Sequence, residues 1–489
     1  MLDRNNMPGR VKAGTCYTTQ DSMMLRGQQI DYRIDAQEFL FVNDADEPEA
    51  SFFAYSMLRQ NVENSVARPL MFVYEGGPGA ASAEMFLGLF GPRVMKLSDG
   101  VCIPPTPPYA MEDNSDCLLD ICDIVMVDPV GTGYAKLYDK SRTAAYVGVE
   151  ADAAASRKFV AFWLEQYGRW NSPKYLCGKS YGAMRAAVFP YFFLGGSTDP
   201  QLGQFGIGFN GTIILCDANV ADLRNMRDPR LTAPDQPPEL DIIATLAAIN
   251  HYHYPDGKPG LRQFVDEAHA FAYGAYAHAL LMGRALPKEE QLETARQMSY
   301  YIGLPAEALL AKGLHITIQE FSSALMAQRG KTVSLYDGRF LRDAAAVPGK
   351  LHDNSSDDPL LLNLWTAEVT LMHEFLKNTL HIDWDREYLV QNYQIGWDWD
   401  FTMSNNARPN ELLTVAVNRN AGMHVFMGKG LFDCVTPIGD GRYTISHYDL
   451  PRDRLTYREY EAGHALWHGT ARGTLCDDLR IFIKKSLRS

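Results

Sequence analysis

Five short apolar runs constrain what this chain can fold into more than any other feature. They are LMFVYE at 70–75, IVMVD at 124–128, YLCG at 175–178, TIILC at 212–216 and HVFMG at 424–428, and each ends in small or turn residues. Runs so short and so uniformly apolar suit strands buried on both faces, as in a parallel sheet. Helical stretches lie between them. In one, Phe159, Val160, Trp163, Leu164 and Tyr167 recur at helix spacing, and Gly168 follows as a stop. This alternation predicts an α/β chain with a mostly parallel central sheet flanked by helices. Residues 30–58 read differently, as an antiparallel meander around the acidic turn NDADEPEA.

Residues from about 221 to 395 read as successive helices with few strand-like runs, after which sheet-like runs resume. We expect a core made of 1–220 and 396–489, with 221–395 inserted as a helical cap. The proline-rich IPPTPPY at 103–109 reads as a rigid loop. The chain has 489 residues, 46% hydrophobic and 21% charged, ordinary values for a globular protein. No apolar run is long enough to span a membrane. A formal net charge of −13 argues against nucleic acid or an anionic membrane as partner, because both call for basic patches. The first residues contain no apolar stretch of signal-peptide length, which predicts a cytoplasmic protein, or a secreted or periplasmic one if this N-terminus is already processed. The eight cysteines are scattered and none pairs with a histidine at zinc spacing, nor is His251 with His253 a metal signature, so reduced core thiols and no metal site are expected.

Gly178-Lys179-Ser180-Tyr181-Gly182 matches GxSxG, between the strand-like KYLCG and the helix-like AMRAAVFPYFF. A sharp strand-to-helix turn of this kind exposes its serine hydroxyl, and the glycines remove Cβ atoms that would clash. A serine hydroxyl needs a neighbouring base, and in this architecture an acid and then a histidine follow later in the chain. Asp433, in GKGLFDCVTP after the run HVFMG, and His464, in YEAGHALWHG, stand in those places. His468 is a rival base but lacks the preceding glycine. The oxyanion formed on attack needs two backbone N–H groups. One is that of Tyr181; the other is expected from Glu75-Gly76-Gly77-Pro78-Gly79, which follows an early strand. A phosphate-binding reading of that loop is disfavoured, since no GK[ST] run follows it and Pro78 removes a donor.

EGGPGAASAE at 75–84, DPVGTGYA at 128–135, GKSYGAMRAA at 178–187, GLFDCVTP at 430–437 and AGHALWHG at 462–469 together resemble the serine carboxypeptidase family, with bacterial members the nearest match. FLGLFGPR at 86–93, AHAFAYGAYAHALLMG and SLYDGRF extend the likeness. The resemblance implies an α/β-hydrolase fold, a triad of Ser180, Asp433 and His464, and an oxyanion hole from the N–H groups of Gly77 and Tyr181. It implies no cofactor, and a peptide or small N-acyl amino acid losing its C-terminal residue as substrate. Relatives also transfer acyl groups to alcohols or amines, and a non-catalytic protein retaining the fold is a further alternative. Hydrolases of this size often pair, which leaves a homodimer open. Two positions depart from the family, where an Asn before GGPG and a Glu before the serine hold the substrate's terminal carboxylate. Here they are Glu75 and Lys179, beside Gly76 in the substrate-binding loop. Lys179 either binds that carboxylate by charge, pairs with Glu75, or points to solvent. The usual proline after the final GH is also missing.

Overall fold

A nine-stranded mixed sheet organises the chain. The structure, a computed structural model, describes residues 7–194, 206–217, 239–344, 358–403 and 407–488. The strands are β1 (Arg10–Leu25), β2 (Gln28–Val42), β3 (Pro48–Arg59), β4 (Leu70–Tyr74), β5 (Asp123–Asp128), β6 (Lys174–Lys179), β7 (Gly211–Leu215), β8 (His424–Gly430) and β9 (Leu455–Tyr460). They lie in the order β1-β2-β3-β5-β4-β6-β7-β8-β9. The pairings β1–β2, β2–β3 and β3–β5 are antiparallel, and all those from β5 to β9 are parallel.

The five apolar runs form β4 to β8, each buried along its whole length. The two outermost strands were not expected. The meander starts at Arg10 and not at 30, because β1 is an edge strand whose mostly exposed, polar residues leave no apolar run to read. β9, LTYREY, closes the other edge and is polar for the same reason.

Helices cover both faces. On one, α1 (Val149–Gln166), α2 (Tyr181–Phe193) and α5 (Pro409–Arg419) bury Phe159, Trp163, Phe189 and Leu413 against the sheet. On the other, α4 (Leu361–Glu374) and α6 (Ala471–Ser486) bury Leu371, Met372, Leu475 and Leu479. Burial of such a side chain stabilises by roughly 1.5–3 kcal/mol relative to exposure. A separate cluster joins α3 (Glu239–His253) and the helices that follow it to Leu431, Phe432 and Ile438. Packing therefore divides the 221–395 segment. Its first helices form that separate layer, which also carries a hairpin of Lys331–Val333 with Leu341–Asp343, while α4 joins the sheet. The boundary expected at 220 lies outside the described residues.

Register puts the carboxyl ends of the central strands side by side. Tyr74 stands opposite Val127 and Gly178, Lys179 opposite Leu215, and Leu215 opposite Gly428. The loops after β4, β5, β6, β7 and β8 thus open at one rim, where sheets of this type carry their ligands.

Candidate active site

Ser180 sits at the tip of the turn from β6 into α2, at φ 57° and ψ −123°. That conformation is costly for a residue with a Cβ and persists because the surroundings enforce it. The Ser180 N–H donates to the Leu215 carbonyl at 3.0 Å. The glycines around it are sterically required. A Cβ on Gly178 would fall 1.8 Å from the Gly182 oxygen, and one on Gly182 would fall 2.2 Å from the Tyr74 oxygen. A Cβ on Gly76 would lie 2.6 Å from the Ser180 Cβ and 3.1 Å from the Tyr181 nitrogen, so the GGPG loop rests directly on the serine turn. Gly77, at φ 98°, is exposed at that contact.

Buried polar side chains hold this loop and turn together. Arg185, one turn into α2, donates to Asp152 of α1 at 2.6 Å and to the Glu75 carbonyl at 2.7 Å. The Tyr181 hydroxyl accepts from the Trp399 indole at 2.7 Å. Asp128, the first residue of DPVGTG, accepts from the Ser82 N–H and hydroxyl, each at 2.7 Å, and a Cβ on Gly133 would lie 2.0 Å from its Oδ2. Burial pushes the Asp128 carboxyl up to about 6, against the hydrogen bonds from Ser82 and Tyr388.

The acid and the base meet directly. His464 Nδ1 is 2.8 Å from Asp433 Oδ2, with both side chains buried. Asp433 also accepts the N–H groups of Val435 at 2.8 Å and Thr436 at 3.0 Å, and the Thr436 hydroxyl. Burial alone would raise the Asp433 carboxyl, but His464 and these donors outweigh it and lower it, so it stays ionised beside the imidazole. Ser180 Oγ makes no hydrogen bond among the described residues, so the structure joins two of the three expected residues and leaves the serine's contact open. His468, the rival, is 3.7 Å from Asp337 and has no hydrogen bond on either ring nitrogen.

Lys179 is buried, not solvent-facing. Its ammonium lies 2.6 Å from Glu84, 3.2 Å from the Tyr336 hydroxyl and 3.4 Å from Glu75. Glu84 and Tyr336 take two of its three donors and the Glu75 carboxyl lies at ion-pair distance, so the ammonium is engaged within the protein. Burial raises the Glu75 carboxyl to about 7, against the pull of Lys179. Burial likewise raises Glu368, and the charges of Glu84 and Glu75 add to the rise while Lys179 opposes it. Glu84, by contrast, is lowered, because Lys179 overcomes its burial. The cluster thus balances one ammonium against one firmly ionised carboxylate.

Glu84 ends the segment EGGPGAASAE and Tyr336 lies in SLYDGRF, and nothing local in the sequence marks a role for either. They meet Lys179 only through folding. Cys216, expected only as a core thiol, lies just after β7 at φ 45°. Its sulfur lies with Asp433 and His464 in a group of potential metal ligands within 4.8 Å of one another. Burial and the Asp433 charge push its thiol up, and the acid and base are already bonded to each other, so this donor set suits a packed triad better than a cation.

A serine on a strained strand-to-helix turn, an Asp–His pair on loops after later strands of a parallel sheet and a glycine loop against the serine define an α/β-hydrolase of the serine hydrolase class. The family model for serine carboxypeptidase matches residues 36–208, a segment that holds EGGPG, DPVGTG and GKSYG. Over that segment the chain is similar to the serine carboxypeptidase family. The structure is similar to that of a prohormone-processing carboxypeptidase from Saccharomyces cerevisiae, at TM-score 0.54 and 15% identity over 99% of this chain and 93% of that one. A juvenile hormone epoxide hydrolase from the silkworm Bombyx mori matches at TM-score 0.37 and 12% identity, covering 93% and 79%. A rice cell wall degrading esterase from Xanthomonas oryzae matches at TM-score 0.36 and 11% identity, covering 99% and 98%. No curated protein matches by sequence.

Proposed function

We propose that this serine hydrolase works as a carboxypeptidase-type acyl hydrolase, with Ser180 as nucleophile, His464 as base and Asp433 orienting the base. The observation that carries this is the buried His464–Asp433 bond at the rim where the strained Ser180 stands half-exposed. Substrate binding brings the Ser180 hydroxyl to the free nitrogen of His464. Oγ attacks the carbonyl carbon as His464 takes its proton, and the N–H groups of Gly77 and Tyr181 receive the oxyanion. The C–N bond then breaks, His464 returns the proton to the departing amine, and water releases the acyl group by the reverse sequence. Asp433 stays ionised throughout and stabilises the imidazolium.

The substrate class we assign is a peptide or N-acyl amino acid, with Glu75, Gly76 and Lys179 beside its leaving group. One observation favours a second reading. Lys179 is engaged by Glu84, Glu75 and Tyr336, so a leaving group without a free carboxylate, or an alcohol or amine acceptor of the acyl group, fits the same rim. The eight free thiols support a reducing compartment such as the cytoplasm. No helix among the described residues is long and apolar enough to cross a membrane.

A screen of blocked dipeptides with free or amidated C-termini, at acid and neutral pH beside Ser180→Ala, tests the proposal. Hydrolysis of the free acids that is lost in the variant supports the carboxypeptidase reading. Preference for the amides supports the second. Hydrolysis that survives in Ser180→Ala overturns both.

A further inference from the structure

We propose that Asp337 is a positioning residue for His464, acting on the backbone of the histidine's loop while Asp433 acts on its ring; this rests on the reading of His464 as the base. The motif SLYDGRF supplies it. Residues 334–340 form the loop between the paired strands Lys331–Val333 and Leu341–Asp343, and this loop wedges between the acid loop and the base loop.

Each residue from 335 to 339 touches one of them. The Leu335 carbonyl accepts from the Cys434 N–H at 3.0 Å, and the Gly338 N–H donates to the Phe432 carbonyl at 2.9 Å, so both neighbours of Asp433 are held. The Tyr336 carbonyl accepts the His464 N–H at 2.8 Å, and its ring stands edge-on to the imidazole at 4.7 Å. Asp337 Oδ2 accepts the Gly463 N–H at 3.0 Å. Arg339 forks onto Asp337 at 2.9 and 2.6 Å and reaches the Glu461 carbonyl at 3.0 Å. The base loop is therefore anchored at 461, 463 and 464 by one short segment.

The close approach explains the glycine before the histidine. A Cβ on Gly463 would lie 2.4 Å from the Asp337 Cβ and 2.5 Å from the Tyr336 oxygen. Asp337 is itself fixed, buried and with its N–H donating to Ser334 Oγ at 3.0 Å. Burial would raise its carboxyl, but His468 and Arg339 hold it at about 2, so it accepts hydrogen bonds as an anion across the working pH range.

The test uses the full chain carrying Asp337→Asn, Gly463→Ala or both, with an activated ester as substrate and a fluorophosphonate as probe of Ser180. A displaced base costs on the order of 10²-fold in kcat, while KM stays within about threefold because substrate contacts are untouched. Labelling of Ser180 slows in parallel, and the downfield proton resonance of the His464–Asp433 bond shifts in the folded variants. The double variant loses no more than the worse single one, since both disturb one contact. Folded variants with kcat within about threefold of the parent, or losses that multiply in the double variant, overturn the proposal. If Asp337→Asn fails to fold, Gly463→Ala decides alone. Ser180→Ala separates the two readings: if it abolishes turnover while the Asp337 and Gly463 variants do not impair it, only the positioning role falls.

Discussion

At the scale of single residues, charge balance around Lys179 decides more than its proximity to the serine. Its ammonium is shared among Glu84, Tyr336 and Glu75, and the weakest-held of its carboxyl partners, Glu75, is the one that burial drives up to about 7. In the unfolded chain this carboxyl ionises near its ordinary value of 4.5; in the folded chain it keeps its proton until about 7. Its contribution to stability is therefore complete below 4.5 and is lost as pH rises through 7. Urea unfolding of the parent and of Glu75→Gln should show the parent losing stability relative to the variant between those two pH values. An unchanged gap would mean that Glu75 titrates as an ordinary carboxyl. The sequence made the Glu75–Lys179 pairing one of three options for Lys179 but gave no hint of Glu84 as its closer partner, because those residues lie 95 apart and meet only through the fold.

At the scale of elements, the turn between β6 and α2 stores strain that three close-packed glycines and a buried ion pair maintain. Ser180 is the strained member, at φ 57°. Glycine adopts that conformation freely, while alanine meets the same Cβ penalty as serine. Ser180→Gly should therefore be more stable than Ser180→Ala, by about 1 kcal/mol after allowing for glycine's greater freedom in the unfolded chain. Chemical denaturation of the two inactive variants checks this, and equal midpoints would count against strain at this residue. The turn was legible because GxSxG between an apolar strand and a helix has few other readings, and the central strands were legible because burial on both faces leaves uniform apolar runs. The edge strands β1 and β9 left no such trace. Neither did the Asp152–Arg185 pair beneath the turn, nor the 334–340 loop against the base, whose contacts depend on tertiary approach and not on local pattern.

At the scale of the whole molecule, all eight cysteines are free and their burial divides them sharply. Cys16 and Cys102 are exposed; Cys117, Cys122, Cys177, Cys216, Cys434 and Cys476 are buried, and burial pushes Cys117 and Cys476 up to about 12. A thiol reagent should find two reactive groups in the native protein and eight in denaturant, and a reductant should leave the melting temperature unchanged. A shortfall in denaturant would reveal a disulfide. The strand order carries a consequence of another kind. β7 completes its pairing only with β8, which begins at His424, and His464 follows later still. A ribosome adding roughly 5–20 residues per second therefore exposes Ser180 some tens of seconds before its base exists. During that interval the nascent chain carries a nucleophile with no partner, so the timing of synthesis itself withholds hydrolytic power until the final strands have been made.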